Sequence, residues 1–226
     1  MDDMAITVVI VAGGKGARMQ DDTPKQFLNI AGKPVIYYAI HTFLSIFPNA
    51  EIIVAIPKGA EKLNENWLGL FPDFRQQINI TEGGETRFHS VKNGLKAMKQ
   101  CGVVFIHDAA RPFINEDLIK KLLAKTKESG NAIPAITVSD SMRKWNGTEF
   151  KIIDREQLRI IQTPQVFDAI TLKSAYDQAY NPIFTDDASV MENFGMKIHL
   201  IDGSKNNIKI TTPEDLVWAE FFLKNA

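Results

Sequence analysis

The stretch Ile6-Thr7-Val8-Val9-Ile10-Val11-Ala12-Gly13-Gly14-Lys15-Gly16-Ala17-Arg18-Met19 sets an apolar, β-branched run directly before a glycine-rich loop. A strand with one wet face alternates apolar and polar residues, whereas a strand covered on both faces need not, so this run reads as a buried parallel strand. Similar runs recur at Glu51 to Ile56, Ile78 to Thr81, Val103 to His107, Ala132 to Val138 and Lys197 to Ile201. Helical patterns lie between them. Pro34 to Phe47 places Val35, Ile36, Ala39, Ile40 and Phe43 on one side, and Arg87 to Lys99 does the same with Val91, Leu95 and Met98. This alternation demands right-handed crossovers and predicts a single Rossmann-like, doubly wound, mostly parallel α/β sheet. Ligands then sit at the carboxyl ends of the strands.

Composition narrows the function classes. The 226 residues are 45% hydrophobic and 23% charged, enough for a sizeable core, and no linker, repeat or low-complexity stretch divides them, so one domain over 1–226 is expected. A net charge of −1 supplies no bulk field for nucleic acid or an anionic membrane surface. Any anion site must be local. The lone cysteine, Cys101, excludes an internal disulfide and reads as a buried or half-buried thiol, in keeping with a reducing cytoplasm. Met1-Asp2-Asp3 is acidic where a signal peptide is basic, and the apolar run after it is far shorter than the ~18 residues of a membrane span.

One segment breaks the alternation. Ser139 to Gln162 holds Met142 to Trp145, then Asn146-Gly147, then Phe150 to Asp154 and Leu158 to Ile161. Asn-Gly between two strand-like runs predicts a hairpin with a type I′ turn. Trp145, Phe150, Ile152 and Ile153 would be poorly buried on an isolated ribbon, which points to a projecting β-arm that mediates dimerisation.

Four motifs carry candidate chemistry. The three glycines after the first strand let backbone N–H groups approach a phosphate or a base, and Arg18 and Lys25, the latter in Pro24-Lys25-Gln26, place two cations beside them. The loop lacks the Gly-Lys-Ser/Thr of a Walker A motif and the full dinucleotide fingerprint. Gly83-Gly84-Glu85-Thr86-Arg87-Phe88-His89-Ser90-Val91 ends a strand and opens a helix; it offers N–H groups and the Ser90 hydroxyl to a ligand, or Thr86 merely caps the helix. In Phe105-Ile106-His107-Asp108-Ala109-Ala110-Arg111-Pro112 a carboxylate and a guanidinium stand where an apolar strand runs out. Asp108 there suits Mg2+ or a substrate hydroxyl, while His107 reads as a packed core residue. Finally Asp154-Arg155, Gln162-Thr163-Pro164-Gln165, Thr185-Asp186-Asp187-Ala188-Ser189 and Asn207-Ile208-Lys209-Ile210-Thr211 offer hydroxyls and cations suited to a phosphorylated polyol. Thr185-Asp186-Asp187 also reads as a helix cap, as does Thr212-Pro213-Glu214-Asp215.

Taken in order, these motifs closely resemble those of the 2-C-methyl-D-erythritol 4-phosphate cytidylyltransferases over nearly the whole chain. The resemblance implies transfer of CMP from CTP to 2-C-methyl-D-erythritol 4-phosphate by a homodimer, with Mg2+ or another divalent cation. It implies that Ala12, Gly13, Gly14, Gly16, Gly84, Glu85 and Ser90 surround cytosine and ribose, and that Arg18 and Lys25 grip the triphosphate. Asp108, Arg111, Ser141, Arg155, Thr163, Thr185 and Lys209 would face the acceptor. Arg18, Lys25, Lys209 and Arg155 would carry the catalysis, and Asp108 would assist a metal held mainly by the CTP phosphates. Ser141 and Arg155 would reach the partner subunit's site on the arm. The chain departs from the family at Gly13, Glu85, His89 and Ser141, where Ala, Asp, Asp and Thr are usual.

The sequence leaves two other readings open. Ribitol 5-phosphate cytidylyltransferases share the loop and Pro-Lys-Gln, although they tend to have Ser-Val where this chain has Ala109-Ala110. A non-catalytic nucleotide-binding regulator on the same fold is the other, and the joint presence of Arg18, Lys25, Asp108 and Lys209 argues against it.

Overall fold

The computed structural model describes residues 4–14, 23–60 and 67–225. Strands β1 (Ile6–Val11), β4 (Glu51–Ile56), β5 (Ile78–Glu82), β6 (Val103–Asp108) and β7 (Asn131–Thr137) all run in one direction, with β11 (Gln165–Asp168) inserted antiparallel between β6 and β7. The order across the main sheet is β10-β7-β11-β6-β1-β4-β5, where β10 is Arg159–Ile161, and β12 (Leu200–Asp202) also pairs with β7. A small ribbon of β2 (Asn29–Ile30) and β3 (Lys33–Pro34) leads into the first helix.

The uninterrupted apolar runs have their expected cause. In β1, Val8 and Ile10 pack on one face with Ile36, Ile40 and Phe43 of helix α1 (Val35–Ile46), while Val9 packs on the other with Val91 and Leu95 of α2 (Arg87–Ala97). Helix α3 (Glu116–Ser129) covers the first face further along, through Leu118, Ile119 and Leu122. Asn115 caps α3 by accepting from the Leu118 N–H, and Gly130, at φ 80°, ends it in the left-handed region that glycine adopts without strain. Parallel β1, β4, β5 and β6 therefore end together, on one rim.

Three expectations change. Lys197 to Ile201 becomes a strand only at Leu200–Asp202, because the Asn131 side-chain amide takes the Lys197 carbonyl and the His199 N–H at 2.9 Å each in place of ladder partners. Cys101 is exposed rather than buried: it lies in the surface connection ahead of Val103, where burial begins. In the hairpin, β8 (Met142–Trp145) pairs with β9 (Phe150–Ile153), but Trp145 faces Phe150 across a four-residue loop and only Gly147 has a positive φ. The Asn146 carbonyl oxygen of the side chain accepts from the Thr148 and Glu149 N–H groups, so local side-chain bonding replaces the type I′ turn. The remainder of the expected arm, Arg159–Ile161, joins the main sheet through β7.

Helix packs closely on sheet at Gly94, where an added Cβ would stand 2.5 Å from Cγ1 of the fully buried Val9. Gly94→Ala is expected to destabilise the fold by about 2 kcal/mol through overpacking. The additional change Val9→Ala should recover part of that loss, a coupling that denaturant titration of the two single variants and the double variant reads directly.

Candidate active site

A cleft of about 990 Å³ opens across the carboxyl ends of β1, β4, β5 and β6. It is lined on one side by Gly13 and Gly14, on another by Gly83 to Arg87, and on a third by Asp108 and Lys209. Lys25 also lines it. Gly16 and Arg18 lie outside the described residues.

The segment after β1 is held from below. Ala12 is buried, and its N–H donates to the Ala55 carbonyl at 2.8 Å. Gln26, itself buried, donates its side-chain amide to the carbonyls of Ala12 and Gly14. The single-turn helix Lys25–Phe27 is thereby clamped to the glycine loop, which brings the Lys25 side chain to the cleft.

In the second motif Thr86 caps α2, its hydroxyl accepting from the His89 N–H. Ser90 is buried and its hydroxyl is engaged, accepting from the Gly84 N–H and donating to the Thr86 carbonyl at 3.0 Å each. Its effect is to fold the Gly83–Gly84 turn tightly onto the helix start. Only glycine fits at 84, since a Cβ there would stand 2.2 Å from the Cβ of His89. Glu85 is exposed and faces the opening.

Asp108 is the electrostatic centre. Its Oδ1 accepts from Arg87 Nε at 3.2 Å and its Oδ2 from Lys209 Nζ at 2.6 Å. Burial works to raise its pKa, but the Arg87 guanidinium and the Lys209 ammonium outweigh it and hold the carboxyl well below the ordinary carboxylate range. Arg87 continues inward, donating Nη1 and Nη2 to Asp187 at 2.9 and 2.7 Å. Asp187 is fully buried and also accepts the Tyr176 hydroxyl at 2.6 Å. No role was read for Arg87, Asp187, Tyr176 or Gln26 from the sequence, although Arg87 stands inside the glycine motif. Its partner Asp187 is 100 residues away and sits in a segment that by itself reads as a cap.

Beneath Asp108 a second chain of hydrogen bonds fixes the end of β6. The Asp108 N–H donates to Thr163 Oγ1 at 3.0 Å, and Thr163 Oγ1 lies 3.1 Å from His107 Nδ1. His107 Nε2 lies 3.0 Å from the Arg111 carbonyl. A carbonyl only accepts, so Nε2 carries the proton and Nδ1 accepts from Thr163. His107 is thus neutral and fully buried, and burial pushes its pKa down to about 4. Arg111 donates to the Asn207 carbonyl at 2.7 Å and is buried. Thr163 and Arg111 therefore underlie the site rather than line it. Thr185, Ser141 and Arg155 are exposed and outside the cleft, and Arg155 donates to the Ser139 carbonyl at the base of the hairpin. Thr185 stands just ahead of Asp186, which forms a capping box with Ser189.

Among the described residues no group of three His, Cys, Asp or Glu side chains is placed to hold a metal. Asp108 is the carboxylate between the two cations, and each of its oxygens already accepts one hydrogen bond. This donor set fits a supplementary ligand to an ion that arrives with a polyphosphate, not a self-sufficient metal nest.

Comparison with known proteins finds relatives along nearly the whole chain. The family model described as IspD, 2-C-methyl-D-erythritol 4-phosphate cytidylyltransferase, matches residues 6–225. A relative of that name from Bacteroides fragilis is 42% identical over 222 residues, covering 97% of this chain and 100% of its own. The solved 4-diphosphocytidyl-2C-methyl-D-erythritol synthase of Anaerococcus prevotii superposes with a TM-score of 0.84 at 28% identity, covering 99% of this chain and 100% of its own. The Francisella tularensis 2-C-methyl-D-erythritol 4-phosphate cytidylyltransferase gives 0.77 at 32% identity, covering 96% and 99%.

The buried imidazole makes the fold sensitive to acid. The unfolded chain protonates His107 near 6.5 and the folded chain only near 4, so its contribution is fully present above about pH 6.5 and is lost as the pH falls towards 4. The loss amounts to about 3 kcal/mol. Asp108, also depressed, adds a further loss below the ordinary carboxylate range. Urea titrations between pH 7 and pH 4.5 are expected to show a falling midpoint, and His107→Asn should flatten that slope.

Proposed function

The chain belongs to the 2-C-methyl-D-erythritol 4-phosphate cytidylyltransferase family, and from that premise we propose how its cleft performs the transfer. It is a nucleotidyltransferase that moves the cytidylyl group of CTP to 2-C-methyl-D-erythritol 4-phosphate. The products are 4-diphosphocytidyl-2-C-methyl-D-erythritol and pyrophosphate, in non-mevalonate isoprenoid synthesis. The observation that carries the mechanism is the meeting of Lys25, Arg87 and Lys209 with two glycine turns at one cleft.

Two anions must be brought side by side, and their mutual repulsion is the principal obstacle. A phosphate oxygen of the acceptor attacks the α-phosphorus of CTP in line, and pyrophosphate leaves. No general base is needed, because the attacking phosphate is already ionised at neutral pH. Gly13, Gly14 and Gly16 with Gly84, Glu85 and Ser90 enclose cytosine and ribose, where the glycines let the ligand approach the backbone closely, and buried Ala12 anchors the loop beneath them. Arg18 and Lys25 neutralise the triphosphate and the charge that grows on the leaving group. Lys209 and Asp108 face the acceptor, Lys209 with its ammonium and Asp108 with a hydroxyl-accepting carboxylate. Arg111 and Thr163 hold that pair from beneath, and Thr185 borders the acceptor side.

Asp108 would serve as a supplementary protein ligand to Mg2+ or another divalent cation held mainly by the CTP phosphates, and such an ion would supply positive charge to stabilise the transferring phosphoryl group. The β-arm crosses to a second copy, so that Ser141 and Arg155 complete the partner's acceptor site. In support, Trp145, Phe150 and Ile152 are 53%, 64% and 80% exposed on the ribbon, more apolar surface than a free hairpin carries comfortably. We place the enzyme in the cytoplasm as a single-domain protein; no described helix is long and apolar enough to cross a membrane.

Pyrophosphate release should be measured with CTP, Mg2+ and either 2-C-methyl-D-erythritol 4-phosphate or ribitol 5-phosphate. Turnover with the first and little with the second is expected, and the reverse preference would sink the substrate assignment. Lys25→Ala is expected to lower turnover by roughly 10²-fold. Replacing residues 142–153 with a short glycine linker should convert a dimer into a monomer on gel filtration, and an unchanged dimer would remove the arm from the interface.

A further inference from the structure

We propose that Arg87 is a positioning residue for the transfer, which holds the carboxylate of Asp108 so that Lys209 is free to serve the incoming phosphate, and that Asp187 and Tyr176 are the rigid brace behind it. The inference rests on the reading that Asp108 and Lys209 face the acceptor. Arg87 spends all three kinds of guanidinium nitrogen on two carboxylates: Nε on Asp108, Nη1 and Nη2 on Asp187. Its planar fork fixes both at once, a geometry that a lysine ammonium does not reproduce.

The brace is rigid for reasons visible around it. Asp187 is fully buried, with both oxygens engaged by Arg87 and one of them also by the Tyr176 hydroxyl. The Tyr176 ring stacks on Phe88, the residue next to Arg87, with centroids 4.7 Å apart. At the start of the helix Asp187–Asn193 the backbone is pinned as well, since the Gln165 side chain accepts from the Ala188 N–H and donates to Asp186. One guanidinium thereby joins the Gly83-to-Val91 motif to the Thr185-to-Ser189 motif, the segments assigned above to nucleotide and acceptor.

Charge gives the arrangement its purpose. A buried ion pair is seldom worth more to stability than apolar residues of the same size. What it does here is divide the demand on Asp108. With Arg87 on Oδ1, Lys209 can lean from Oδ2 towards a phosphate without leaving the carboxylate uncompensated. Without Arg87, Lys209 is the cation that Asp108 must retain, and the phosphate loses its partner.

The test uses full-length Arg87→Lys, Asp187→Asn and Tyr176→Phe enzymes. Steady-state rates with CTP and 2-C-methyl-D-erythritol 4-phosphate are measured together with CTP–Mg2+ affinity by calorimetry. For Arg87→Lys, kcat/KM for the acceptor is expected to fall by roughly 10-fold or more while the Kd for CTP stays within about twofold. Tyr176→Phe, which keeps the ring stack and removes the hydroxyl, should move the same constant in the same direction by less, and it serves alone if Arg87→Lys does not fold. Rates within twofold of wild type in the folded variants, or losses of CTP affinity equal to the losses of turnover, overturn the proposal. A crystal structure of the folded variant supplies a reading independent of activity: an Asp108 carboxylate found in its original place and orientation also overturns it, and a displaced or turned carboxylate supports it. A wild-type enzyme inactive on every polyol phosphate would refute the functional reading, while the crystal structure still judged the brace.

Discussion

The site depends on one buried carboxylate that cannot be left alone. Asp108 ends a strand whose neighbours are apolar on both faces, and an ionised group there is costly unless cations meet it. They come from positions 21 and 101 residues distant, Arg87 at the start of a helix and Lys209 on the segment after β12. Both segments are therefore tied to the end of β6, and the cleft takes its shape from that tie. The rest of the sheet supplies the common rim on which these ends can meet.

Much of the fold was legible in the sequence because its strands are buried on both faces. Continuous runs such as Ile6–Val11 and Glu51–Ile56 admit few other readings, and the intervening helices show their apolar stripes at the right spacing. The hairpin was also legible from its two short runs, although Asn146 bonds its own neighbours and lengthens the loop. Local chemistry went astray where a side chain from elsewhere took over a backbone partner, as Asn131 does at Lys197 and His199. Cys101 misled because cysteine's usual burial is an average over positions, and this one precedes the first buried residue of its strand.

The site was legible as motifs and not as contacts. Gly13, Gly14, Lys25, Gly84, Glu85, Ser90, Asp108 and Lys209 line one cleft. Thr163 and Arg111 stand under it, and nothing local distinguishes a residue that touches a ligand from one that supports its neighbour. Arg87 and Asp187 escaped for the opposite reason. Their meaning lies in a pairing across 100 residues, and each alone passes for an ordinary helix-terminal charge. His107 was read correctly as a packed residue, but its tautomer follows only from the Arg111 carbonyl on one side and the Thr163 hydroxyl on the other.

The Gln26 amide has a bearing on how a nucleotide is greeted. By donating to the carbonyls of Ala12 and Gly14 it anchors the first part of the loop to the neighbour of Lys25 in the protein itself. The entropy of arranging that stretch is lost once, when the chain folds, instead of at each encounter with a ligand. For the nucleotide proposed to bind there, that stretch is ordered in advance, and more of the intrinsic attraction would survive as affinity.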